Sequence, residues 1–139
     1  MIGVDTNILA RAVLDDNLEE STLAKEFLKK AVDEKKLFIS SYAILEMVWV
    51  LKVKKRTREE IRESILDLLD SPGIVIGQRE IIASALEKYQ RGKADFADYL
   101  ILAEGETYSA SKLASFDKSF CKESGHVQNP KKYIQRIDT

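Results

Sequence analysis

Short apolar runs alternate with longer amphipathic stretches along the whole of this 139-residue chain, and that alternation restricts it to a sheet covered by helices. Strands are expected at Met1 to Val4, Leu37 to Ser40, Ile74 to Ile76 and Lys112 to Ser115. Helices are expected over Thr6 to Asp15, Leu18 to Lys35, Ser41 to Lys55, Thr57 to Asp70, Gln78 to Arg91 and Asp95 to Tyr108, with a short one near Lys118 to Glu123. The run Ser71-Pro72-Gly73 closes one helix with a clear stop signal. Strands separated by helices pair in parallel, so the expected fold class is α/β, a three-layer α/β/α sandwich with a mostly parallel sheet of four or five strands. Sites in such folds form beyond the carboxyl ends of the strands. The length suits one domain with a useful core, and no repeat, low-complexity segment or long linker interrupts it, so residues 1–139 read as a single domain.

Charge narrows the function classes. A net charge of −1 and a pI of about 5.9 exclude a protein held to nucleic acid by bulk charge. Locally, five of the seven residues from Lys52 to Arg58 are basic, with smaller groups at Arg91/Lys93 and Lys131/Lys132/Arg136. Each group reads either as a solvated helix end that complements the dipole or as a phosphate-contacting patch. With a single cysteine, Cys121, and a single histidine, His126, an internal disulfide and the nitrogen and sulfur ligands of a zinc site are both missing. No stretch approaches the length of a membrane span, and Met1 leads straight into Ile2-Gly3-Val4 without the basic flank of a signal peptide, so the cytoplasm is the expected location.

Five carboxylates, Asp5, Glu46, Asp95, Asp98 and Asp117, are flanked by apolar residues instead of the charged runs that hold most of the acids. An ionised carboxylate taken out of water without a partner is costly, so such groups pair, protonate or hold a cation. Asp5 falls where the first strand gives way to a helix, and Asp117 follows Leu113-Ala114-Ser115-Phe116 in the same way. Each also fits a plain helix N-cap. Glu46 interrupts Tyr42-Ala43-Ile44-Leu45 and Met47-Val48-Trp49-Val50-Leu51, sharing one helical stripe with Tyr42, Leu45 and Trp49; a basic partner is its alternative. Asp95 and Asp98 lie three apart at a helix start, which suits either an anion-favouring first turn or a capping arrangement. Taken together, a parallel sheet can bring these acids to one edge, where mutual repulsion calls for a cation. Oxygen-only ligands select a hard ion, Mg²⁺ or Mn²⁺, and phosphodiester hydrolysis is the reaction class such a site supports.

The order V-D-T-N-I-L at Val4 to Leu9, S-x-x-x-x-E at Ser41 to Glu46, D-F-A-D-Y-L-I-L-A at Asp95 to Ala103 and S-F-D at Ser115 to Asp117 resembles the PIN-domain ribonucleases, in particular the VapC-type toxins of toxin–antitoxin pairs. The resemblance covers essentially the whole chain. It implies a PIN-like parallel sheet between helices and a Mg²⁺- or Mn²⁺-dependent endoribonuclease, usually a homodimer, inhibited by a small VapB-like antitoxin. Position by position, the four family acids correspond to Asp5, Glu46, Asp98 and Asp117, with Asp5 and Asp98 as the principal metal ligands. Glu46 and Asp117 complete the outer shell or a second ion and orient the attacking water. Asp95 is an extra acid, a supporting residue or a cap. Thr6 and Asn7 match the polar pair after the first aspartate. Ser115 keeps a hydroxyl where the family often has threonine, whereas Ser119 stands where it often has a further acid.

That thinner acidic end leaves a second reading open, a noncatalytic PIN-like module that binds RNA or protein. Other phosphoryl-transfer patterns fit less well. Asp5-Thr6-Asn7 lacks the second acid of a haloacid-dehalogenase site, and Ile74-Val75-Ile76-Gly77 offers no phosphorylatable aspartate for a receiver domain. Cys121 and His126 lack a third group for nucleophilic catalysis. Trp49, Val50 and Val53 read either as core or as part of an apolar surface for the antitoxin.

Overall fold

The computed structural model describes residues 1–137. They divide into two compact units, residues 1–83 and residues from 84 onward. In the first unit, β1 (Ile2–Gly3), β2 (Leu37–Ile39) and β3 (Ile74–Ile76) form a sheet in that order. Both pairings are parallel, with Ile2 opposite Leu37 and Leu37 opposite Ile74. Parallel neighbours need crossover connections. Here each crossover is a helix pair, α1 (Thr6–Leu14) with α2 (Leu18–Asp33), then α3 (Ser41–Val53) with α4 (Arg58–Asp70).

Helix α4 follows the simple rule of an amphipathic helix: Ile61, Ile65 and Leu69 make one buried stripe. Thr57 and Glu60 begin it with a capping box, at 3.1 and 2.9 Å. The Thr57 backbone N–H, joined by its hydroxyl, holds the Glu60 carboxyl below its usual range. At the end of α1, Asp15 turns into the left-handed region (φ 55°) and accepts from Lys25 at 2.5 Å and from the Ser21 hydroxyl at 2.6 Å. Lys25 is the larger cause of its lowered pKa.

The second unit begins within α5 (Arg79–Arg91) and continues with α6 (Phe96–Thr107), β4 (Leu113–Ala114), α7 (Lys118–Glu123), β5 (Val127–Gln128) and α8 (Pro130–Ile137). Strands β4 and β5 pair in parallel, Leu113 opposite Val127. Four aromatic rings stitch the helices together by edge-to-face contacts. Phe96 meets Tyr89 at 5.8 Å, Tyr89 meets Tyr99 at 6.3 Å, and Tyr99 meets Phe120 at 5.6 Å.

Every strand pairing is thus parallel, as an α/β chain requires, but the five strands lie in two ladders of three and two where one larger sheet was expected. Strands β1, β4 and β5 contribute two residues each, too few for an extensive hydrogen-bonded ladder. The expected helix ends at Lys35, Lys55 and Tyr108 run one to two residues past the observed ones. In each case the chain leaves through a left-handed residue, Lys35, Lys55 or Ser109, and the next N–H closes on a carbonyl five residues back: Lys36 on Ala31, Arg56 on Leu51, Ala110 on Gly105, all at 2.9 Å. This is a Schellman closure without glycine. Strand β5 and helix α8 were not expected. Among the described residues no helix is long and apolar enough to cross a membrane.

Candidate functional site

In the first unit the chain leaves β1, passes Asp5 in extended conformation and enters α1. Asp5 is the N-cap, its Oδ1 accepting the Ile8 N–H at 3.2 Å. The next residue reaches across the fold: the Thr6 hydroxyl donates to Glu46 Oε2 at 3.3 Å, joining positions 40 apart in sequence. Thr6 therefore orients Glu46, and Asn7 lies exposed in the first turn of α1. The carboxyl end of β1 and the middle of α3 meet at that bond, which brings Asp5, Thr6 and Glu46 into one neighbourhood.

In the second unit Asp95 is the N-cap of α6. Asp98 accepts the Asp95 N–H at 3.3 Å, the reach-back half of a capping box. Asp117 is the N-cap of α7, where its Oδ1 accepts the Phe120 N–H at 3.1 Å and the Ser119 hydroxyl at 2.8 Å. The Phe120 N–H, then Ser119, hold the Asp117 carboxyl below its usual range. Ser115 accepts the Asp117 N–H at 3.0 Å and sets the turn. Ser119, where a further acid was looked for, thus serves Asp117 as a donor.

Contrary to what their apolar neighbours in sequence suggest, the five acids are not withdrawn from water. Asp5, Glu46, Asp95 and Asp117 are exposed and Asp98 is half-buried, so desolvation does not single them out. Their flanking residues are apolar because the opposite helix faces are buried. On α3 the buried face is Ala43, Ile44, Met47, Val48 and Leu51, while Tyr42 (77% exposed), Glu46, Trp49 (68%) and Val53 (58%) form a stripe directly opposite. Trp49 and Val53 are therefore surface, not core. Among the described residues no three histidine, cysteine or acidic side chains form a group that could hold an ion. The donors at the candidate positions are all oxygens, which suit a hard ion.

The basic segment is partly spent on the protein itself. Arg56 donates to the Leu14 carbonyl at 3.0 Å and pairs with Glu60 at 3.6 Å, while Lys54 lies 3.6 Å from Asp16. Arg91 pairs with Glu87 at 3.0 Å. Lys52 and Lys55 are exposed, as are Lys131 and Lys132 on α8. The side chain of Arg136 lies outside the described ones.

Residues 2–124 match the family model described as the PIN domain. Among curated proteins the chain is similar to the VapC ribonuclease of Aquifex aeolicus (strain VF5), with 23% identity over 128 residues that cover 91% of this chain and 95% of that protein. No solved structure matches.

Proposed function

The chain belongs to the PIN-domain family, and from that premise we propose that it is a single-domain endoribonuclease dependent on Mg²⁺ or Mn²⁺, the toxin of a toxin–antitoxin pair acting in the cytoplasm. The observation that carries this reading is the Thr6–Glu46 hydrogen bond, because it draws the first two motif acids to the carboxyl end of β1. The similarity to a VapC ribonuclease over nearly the full length of both chains supports the substrate class.

Asp5 and Asp98 take the metal-holding role. Bound Mg²⁺ or Mn²⁺ would neutralise charge on the phosphoryl group and lower the pKa of a water nucleophile. Glu46, with one oxygen already fixed by Thr6, and Asp117, with one oxygen fixed by its cap bonds, complete the outer shell or a second ion and orient the attacking water. Asp95 supports the first turn of α6 as its cap. The basic groups Lys52 to Arg58 and Arg91/Lys93 are the candidates to grip backbone phosphates, so RNA binding is expected to weaken as salt rises. Incubating the purified protein with single-stranded and structured RNAs tests the reading directly. Cleavage is expected with millimolar Mg²⁺ and is lost on adding EDTA; cleavage undiminished by EDTA would sink the metal mechanism.

The exposed stripe of α3 supports a protein partner for this face. Exposed apolar side chains suit an interaction site: Tyr42, Trp49 and Val53 stand on either side of Glu46, and a second copy of the chain or the antitoxin would cover them. Sedimentation at micromolar concentration is expected to give twice the chain mass of 15.8 kDa, and Trp49→Ser is expected to return it to that of one chain. A monomer at all concentrations would leave the stripe to the antitoxin alone.

A further inference from the structure

Glu123 ends α7, the helix that Asp117 begins, and its carboxylate turns back to the loop that feeds α6. Oε1 accepts the Lys93 N–H at 2.5 Å and Oε2 accepts the Tyr99 hydroxyl at 2.5 Å. The same hydroxyl accepts the Ala94 N–H at 3.0 Å. Two successive backbone N–H groups just before Asp95 are thus held by one carboxylate and one phenol. The phenol is itself locked, since the Tyr99 ring is buried and stands edge-on to Phe120 of α7. Gly92 opens this loop, and a Cβ there would fall on the Tyr99 hydroxyl and the Glu123 carboxylate. Only glycine lets the backbone come so close.

A glutamate at the end of a short surface helix is usually a solvated charge. This one joins the end of α7 to the start of α6, and those helices carry Asp117 and Asp98. We infer that Glu123 and Tyr99 are positioning residues, which fix the entry of the chain into α6 and hence the placement of Asp98 relative to Asp117. They touch neither metal nor substrate. The inference rests on the ribonuclease reading for its consequence, though not for its geometry. Hydrogen bonds to an ionised acceptor are the strong ones; groups that bond a metal ligand directly are worth about 10- to 100-fold in metal affinity, and Glu123 and Tyr99, which act one step further out on the loop before Asp95, fall at the lower end of that range.

The test uses the full chain with Mg²⁺ alone as probe, read as the Mg²⁺ concentration that gives half the maximal rise in melting temperature. Glu123→Ala is expected to raise that concentration by up to about tenfold and to lower kcat with KM for RNA unchanged. Glu123→Gln, which keeps an acceptor for the Lys93 N–H, recovers most of the loss. Tyr99→Phe keeps the ring against Phe120 and deletes only the hydroxyl, so it shows the same shift even where Glu123→Ala folds poorly. Amide exchange reads the clamp separately: the Lys93 and Ala94 amides are protected in the unaltered protein and exchange faster in Glu123→Ala. Variants that lose melting temperature but keep the Mg²⁺ midpoint would overturn the inference, as would Lys93 and Ala94 amides that exchange freely from the start. If the unaltered protein shows no Mg²⁺ response, the positioning role falls with the ribonuclease reading, and protected amides then mark the failure as one of the reading and not of the clamp.

Discussion

Asp5→Asn and Asp98→Asn each lower the rate of RNA cleavage by about 10²- to 10³-fold while leaving the melting temperature almost unchanged. The magnitude follows from the several kcal/mol that a correctly held ion contributes to a phosphoryl transition state, at about 1.4 kcal/mol per tenfold. The unchanged stability follows from the caps. Asparagine is as good an N-cap as aspartate, so at position 5 its oxygen still accepts the Ile8 N–H; at position 98, the third residue of α6, its oxygen keeps the reach-back bond from the Asp95 N–H. Only the charge is removed. Asp95→Asn is the internal control: it keeps the cap of α6 and is expected to retain most of the activity. Single-turnover cleavage assays and thermal melts of the three variants decide the matter. If Asp5→Asn cleaves like the unaltered protein, Asp5 is a cap and nothing more, and the metal-holding role assigned to it falls.

The α/β class was legible because it rests on periodicity, and periodicity survives tertiary detail. Seven helices and four strands lie where the apolar pattern puts them. What misled at their ends was the absence of glycine: Lys35, Lys55 and Ser109 adopt the left-handed turn that glycine would have advertised. Helix α8 has a short signal of its own, Asn129 followed by Pro130, where Lys131 N–H bonds Asn129 Oδ1 at 2.9 Å and proline occupies the first helical position. Strand β5, two residues long, had none. Apolar neighbours do not mark the acids as buried, since apolar neighbours along a helix describe its other face as much as its own. The bond from Thr6 to Glu46 and the clamp from Glu123 to Lys93 are beyond periodicity altogether, because they join residues 40 and 30 apart through the fold.

Phe96→Ala is expected to cost about 3–5 kcal/mol, the range for emptying a fully buried aromatic site. Phe96 is completely buried and is the first residue of α6, so its ring anchors the turn that carries Asp95 and Asp98. It loses two things at once. One is the apolar burial of the side chain, and the other is the edge-to-face contact with Tyr89, itself worth about 0.5–1.5 kcal/mol. Tyr89 passes the consequence on to Tyr99, whose hydroxyl holds the loop before Asp95. Against a native stability of roughly 5–15 kcal/mol, such a loss lowers the melting temperature by about 10 °C or more and is read equally well as a shift in urea midpoint. Phe96→Leu keeps most of the apolar volume and should cost markedly less. A loss below about 1 kcal/mol for Phe96→Ala, well under the usual range, would show that the start of α6 is held by the Asp95–Asp98 cap and the Glu123 clamp, with the aromatic packing secondary.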